Sequence, residues 1–252
     1  MSRARRIRAE AVGAWHSFLR RRTAVFFTFF FPVLLVVIFG ALVRTQPTGG
    51  GLFAEPAAYY VPGYLATVVL FTPLSRVGSE IARHRDDSRF EKLATTPLGR
   101  AEWLIAHTLV NIAIIGLASL LILGLVVALT GAVIPLTPRL ALLAPFTVAA
   151  VVLFCGFGAI LGRLSSTQDG VIAASNTIAF PLLFLSDTFV TLDQLPPWFA
   201  PLVDLSPLTY FARGVRAVTY TTGEPATPAL GVLAVLAVIF FVAGAYAIPR
   251  TD

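Results

Sequence analysis

Charge is what this sequence has least of: 13% of its 252 residues are Asp, Glu, Lys or Arg and 57% are hydrophobic, where a soluble domain carries about a quarter charged residues. With a mean hydropathy of +0.82, an ordinary cytosolic globule is excluded. Sulfur is equally scarce. One Cys and one Met leave no disulfide framework and no cysteine-ligated metal site, both of which need paired sulfurs at set spacings. There is a single lysine, Lys92, preceded by no glycine frame and followed by Leu93, so a phosphate-cradling P-loop is absent. His16, His84 and His107 lie far apart without Cys or carboxylate at ligand spacing, and Ser165 and Ser166 lack the glycines of a nucleophile elbow. No catalytic residue, metal site or cofactor bound by this chain is expected.

What the sequence does have is long apolar runs. A helix needs about 20 apolar residues to cross about 30 Å of hydrocarbon, and six runs are candidates: residues 24–43, 57–75, 104–129, 140–162, 170–186 and 229–248. The first contains Pro32, the second carries Tyr59, Tyr60 and Tyr64 at one end as an interfacial belt would, and the fifth has Asn176 at its middle. None of the six has an ionisable residue at its centre, which argues against a proton- or ion-driven carrier. His107, Asn111 and Asn176 read as interhelical hydrogen bonders. Gly158 and Gly162 form a small-xxx-small face for helix packing, within the chain or at a subunit interface.

Orientation follows from Arg and Lys, which are retained in cytoplasmic loops. Fifteen lie on the side of the amino-terminal arm, the 76–100 loop, Arg163 and Arg250. The other side has only Arg44, Arg139, Arg213 and Arg216. Both termini are therefore expected in the cytoplasm of a multi-pass cell-membrane protein, and the net charge of +6 reports orientation rather than a nucleic-acid partner. The first run exceeds the 7 to 15 residues of a signal peptide and lacks a small-x-small cleavage site, so it reads as a retained span.

Three segments lie between the runs. In the arm, Ile7, Ala11, Ala14, Trp15, Phe18 and Leu19 recur at helical spacing among arginines, the pattern of a helix lying in the interface against anionic lipid head groups; a disordered basic arm is the alternative. The loop from Ser79 to Trp103 mixes both signs. Arg83 and Asp87 have the spacing of a helical ion pair, and Thr96 with Pro97 reads as cap and first residue of a restarted helix. The loop is a solvated connector or a docking surface for another protein. The stretch from Asp187 to Pro228 is rich in Leu and aromatic residues but broken by Pro196, Pro197, Pro201 and Pro207, which excludes a continuous span. It reads as two short helices dipping into the outer leaflet, turning at Pro196–Pro197, or as a cap of amphipathic turns on the lipid surface. Arg213 and Arg216 would pair with Asp193 and Asp204 or hold a lipid head group.

The run from Glu91 to Trp103, with Leu93, Thr96, Pro97, Arg100 and Glu102, resembles the cytoplasmic loop of type-2 ABC transporter permeases, the group of daunorubicin-type drug exporters and polysaccharide exporters. Leu195-Pro196-Pro197-Trp198 and Ser206-Pro207-Leu208-Thr209-Tyr210 before Arg213 are similar to that family's segment ahead of the last span. One departure is Asp187, where the family commonly has glycine. The resemblance implies an all-α polytopic fold: residues 1–252 form one transmembrane domain, with an interface helix over 1–22, six spans, a coupling helix in 79–103 and re-entrant external helices in 187–228. It implies that Arg83, Arg85, Asp87, Arg89, Phe90, Glu91 and Leu93 couple to the ATPase. Asp187, Pro196, Pro197, Trp198, Pro207, Tyr210 and Arg213 would build the re-entrant segment.

The partners so implied are two copies of a separate ABC ATP-binding subunit and a second permease subunit, a homodimer being the expected arrangement, besides membrane lipids. The chain itself would be no enzyme: it would move a lipophilic compound, a lipid or a glycan with ATP hydrolysed elsewhere. A self-contained secondary carrier, to which Pro32 and Pro181 lend faint support as breaks in repeated helices, and a non-transporting membrane scaffold are the alternatives.

Overall fold

The computed structural model describes residues 2–42, 55–189, 196–221 and 223–249, and every regular element among them is helical. The basic arm forms α1 (Arg3–Arg20). The first apolar run forms α2 (Arg22–Leu35) and continues as a π-helical segment over Val36–Leu42. Pro32 precedes this widening, and the Val36 amide is shared between the carbonyls of Pro32 and Val33, as happens where a proline interrupts the hydrogen-bond ladder. A 3-10 turn over Ala57–Tyr60 leads into α3 (Val61–Asp86). Then come the short α4 (Arg89–Ala94), the long α5 (Arg100–Thr130) and α6 (Leu143–Leu164). The rest is α7 (Gln168–Phe184), α8 (Ala200–Leu205), α9 (Pro207–Thr219) and α10 (Thr227–Ala247).

Among the described residues, five helical segments are long and apolar enough to cross a membrane: Arg22–Gly40, Ala57–Asp86, Arg100–Thr130, Pro138–Leu164 and Thr227–Ala247. The fifth expected run is α7, whose 17 residues extend about 26 Å, at the short limit of a span. The second run departs most from its expected end. Charge at Arg76 marked its limit in the sequence, but Arg and Glu are good helix formers, and α3 runs on to Asp86. Arg76, Glu80, Arg83 and His84 thereby stand on the same helix as the apolar run. The helix restart is also displaced. Thr96 and Pro97 lie in a turn, and α5 begins at Arg100 with Gly99 as its cap residue and the Glu102 side chain accepting from the Gly99 amide at 3.1 Å.

The structure is organised around α6. On one side a Cβ at Gly158 would stand 2.5 Å from the Leu74 carbonyl oxygen, and one at Gly162 2.6 Å from that of Gly78, so α3 and α6 touch backbone to backbone. On the other side Gly156 and Gly244 admit α10 equally closely. The Gly158 and Gly162 face is therefore used inside the chain.

Ser88, between α3 and α4, is the one non-glycine residue with positive φ (50°) among the described residues. The left-handed conformation costs a residue with a Cβ roughly 1 kcal/mol. Ser88→Gly is accordingly expected to raise the thermal unfolding midpoint by about 2–4 °C, measurable by dye-monitored melting of the purified chain.

Candidate functional site

At the arginine-rich end, α4 forms a small shelf. Phe90 is buried beneath it, its ring 5.5 Å from that of His84 and 6.1 Å from that of Trp103, and Leu93 packs partly against the same core. Arg83 and Arg85 point inward to the protein: Arg83 pairs with Glu80, and Arg85 donates to the carbonyls of Arg163 (3.4 Å) and Ser165 at the end of α6. The helical pair expected between Arg83 and Asp87 is not formed. Asp87 lies past the end of α3 and pairs instead with Arg89 at 3.3 Å. What remains exposed on the shelf is Asp87, Arg89, Glu91 and Lys92.

The arm is fastened to the same region. The apolar stripe of α1 packs on Val110 and Ile114 of α5, with Ala14 and Phe18 buried. Its polar side reaches the start of α5. Arg6 Nε donates to Glu102 at 2.9 Å, Arg3 lies 3.3 Å from the same carboxylate, and Glu10 meets His107 at 3.3 Å. The bond to Glu102 outweighs burial and pushes the Arg6 guanidinium above its ordinary pKa. α1, α4 and the ends of α3, α5 and α6 thus form one connected block.

Between α2, α3 and α7 runs a groove of about 830 Å³. Its walls are aromatic (Phe27, Phe31, Phe71, Phe180, Phe184), and its charged residues Arg21, Arg76 and Glu80 line it towards the arginine-rich end, with Ser75, Ser79 and Gln168. Asn176, expected to bond another helix, instead faces this groove. Asn111 does bond, to the His107 carbonyl of its own helix at 2.9 Å.

At the opposite end the chain returns through α8 and α9. The break between these two short helices falls at Ser206–Pro207, where the Ser206 hydroxyl donates to the Leu182 carbonyl at 3.1 Å. Pro196 and Pro197 instead open the short helical stretch of Pro197–Phe199, with Trp198 exposed; residues 190–195, including Asp193 and Leu195, lie outside the described residues. Tyr210 donates to the Asp204 carbonyl at 2.9 Å. Asp187, buried at 4% exposure, is the common acid of two arginines: Arg213 Nε at 3.2 Å and Arg216 Nη1 at 3.5 Å, with Arg216 Nη2 also donating to its carbonyl at 2.6 Å. Arg216 lies over the Tyr59 ring at 4.1 Å, and Arg213 reaches Asp204 at 2.8 Å. Burial opposes the Arg213 charge, yet Asp187 and Asp204 together outweigh it and hold that guanidinium above its usual range.

Residues 6–220 match the family profile described as ABC-2 type transporter. The chain belongs to the ABC-2 type transporter family. It is 25% identical over 226 residues to the daunorubicin resistance ABC transporter permease protein DrrB1 of Streptomyces coeruleorubidus, covering 85% of this chain and 78% of that protein. It is thus a multi-pass ABC transporter permease, of a kind that is not itself an ATPase and normally works with an ATP-binding subunit. In this ABC-2 permease the sequence reading missed Arg76 and Glu80 as groove residues, because the first charge ended the span, and it missed Arg6 as the partner of Glu102 across 96 residues. The one signal for Asp187 was its departure from glycine. Its arginine partners lie 26 and 29 residues away.

Proposed function

We propose that this permease is one half of an exporter whose ATP is hydrolysed by a separate subunit, with a second permease, most simply an identical one, completing the membrane part. It has six spans, α7 being the fifth, both termini cytoplasmic, α1 at the inner interface and α8–α9 re-entrant from outside. The exposed residues of the α4 shelf, Asp87, Arg89, Glu91 and Lys92, dock on the ATPase, while Arg83, Arg85, Phe90 and Leu93 hold the shelf to the spans. The groove between α2, α3 and α7 is this subunit's share of the transport path.

The observation that supports this reading best is the attachment of α4. Its outer face is charged and exposed, while Phe90 packs it on His84 of α3 and Trp103 of α5; those helices are bonded in turn to α6 through Arg85 and to α1 through Glu102, so displacement of the shelf is carried into the helices. ATP binding then favours one arrangement of the permease pair by its differential affinity for the two states.

Purified permease is expected to hydrolyse no ATP until the cognate ATPase is added. Reversing the shelf charges together (Arg89→Glu, Glu91→Arg, Lys92→Glu) is expected to lower permease-stimulated hydrolysis by about ten-fold or more, as loss of several interfacial charge contacts does. Elution of the variant as a single species is expected to be unchanged. Normal stimulation by a folded triple variant removes the docking assignment.

A further inference from the structure

The groove carries a cation whose hydrogen-bonding capacity the fold leaves incomplete. The Arg76 Nη1 atom is buried and has no hydrogen-bond partner among the described residues, and its guanidinium carbon stands 4.5 Å from the centre of the Phe18 ring. The one acid lining the groove among the described residues, Glu80, is already engaged by Arg83, by His84 at 3.5 Å and by Arg21 at 3.9 Å. A cationic cargo entering here would meet Arg76 and Arg21. A neutral one would leave a buried guanidinium hydrogen without a partner, which is costly.

Position narrows the ligand further. Arg76 stands nineteen residues after Ala57 on the helical segment Ala57–Asp86, about 29 Å along the axis and hence near the inner boundary of about 30 Å of hydrocarbon. The aromatic walls at Phe31, Phe71 and Phe180 lie beside apolar helix, and the volume of about 830 Å³ is within the range of drug-sized ligands. Resting on the reading of the groove as a transport path, we infer that its ligand is an amphiphile with an apolar body among these phenylalanines and one anionic group, a carboxylate or a phosphate, held by Arg76 at the inner-leaflet level.

Photolabelling of the purified full chain tests this with three probes sharing one diazirine-bearing oleyl chain: the free fatty acid, the phosphatidic acid and the amine. Adducts are counted by intact-protein mass spectrometry and placed by peptide mapping. At least one anionic probe is expected to label α2, α3 or α7. In Arg76→Gln that labelling falls about ten-fold, the loss of one charge-assisted contact, while Arg76→Lys keeps most of it and the amine labels weakly throughout. The fatty acid labelling above the phosphatidic acid identifies a carboxylate as the preferred head, and the reverse a lipid phosphate.

Should Arg76→Gln not purify as one species, Ser79→Asp decides, because it sets a carboxylate three residues on along the same groove and is expected to lower anionic labelling with Arg76 retained. Equal labelling by the amine, or undiminished anionic labelling of whichever variant decides, overturns the inference. Labelling needs neither ATP nor the ATPase. Failure of the transport reading therefore shows separately, as Arg76-dependent labelling with no anion-stimulated hydrolysis in the assembled complex.

Discussion

Asp187→Ala is expected to cost this permease about 3–5 kcal/mol, the range for removing one partner of a buried ion pair, and to lower its thermal unfolding midpoint by roughly 10 °C. The size follows from what is left behind. The Arg216 side chain is 10% exposed and depends on Asp187 for both a carboxylate and a carbonyl contact; without the acid, a guanidinium stays buried over Tyr59 with no counter-charge. Arg213→Ala is expected to cost far less, about 0–1 kcal/mol, since its side chain is 36% exposed and its second partner Asp204 is more than half exposed. A paired replacement, Asp187→Leu with Arg216→Met, removes the charges together and is expected to recover most of the loss, because exchanging a whole buried pair for apolar side chains is often neutral. Fluorescence-detected melting of the three variants and the wild type in one detergent measures this. An Asp187→Ala protein that melts with the wild type shows that the network does not hold α9 to α7 and α3.

The second large effect is expected at the α3–α6 seam. Gly158→Leu places a side chain where a Cβ alone already falls 2.5 Å from the Leu74 carbonyl oxygen and 3.0 Å from that of Pro73. These are backbone atoms and cannot rotate aside, so the two helices must separate. Overpacking against movable side chains costs about 1–3 kcal/mol, and here the cost is expected at or above the upper end of that range. Since α6 also touches α10 through Gly156 and Gly244, separation propagates across the bundle and the variant is expected to insert in the membrane but to elute as an aggregate. Gly116→Ala in α5, where a Cβ meets nothing within 4 Å, is expected to change the midpoint in the opposite direction by a small amount, because alanine is the better helix former by about 1 kcal/mol. Equal behaviour of the two variants in size-exclusion chromatography would remove the seam from the account.

The apolar runs, the amphipathic arm and the proline-broken segment near the carboxyl end were legible in the sequence because each is a local pattern. An uncharged run of helix length has to be a helix in lipid, since no other local structure satisfies its backbone there, and a stripe at helical spacing marks its own buried face. The loop motif from Glu91 to Glu102 likewise lies within a dozen residues, and the family match agrees with it. The same locality explains the misplaced boundaries. Helix α3 passes its first charge because Arg76 lies over the Phe18 ring of α1 and Glu80 is paired by Arg83, His84 and Arg21, and the restart after Pro97 waits until Gly99 can be capped by Glu102.

The sequence by itself determined a helical, lipid-dissolved chain with a strong charge asymmetry and its membership among type-2 ABC permeases, since hydropathy, charge and motif are properties of neighbours in the chain. Tertiary structure alone decided which charges meet. Arg6 finds Glu102, Asp187 gathers Arg213 and Arg216, and Arg76 faces a groove with an unpartnered nitrogen. Electrostatic pairing depends on distance in space and on exclusion of water, and neither is fixed until α6 has drawn α3 and α10 against its glycines.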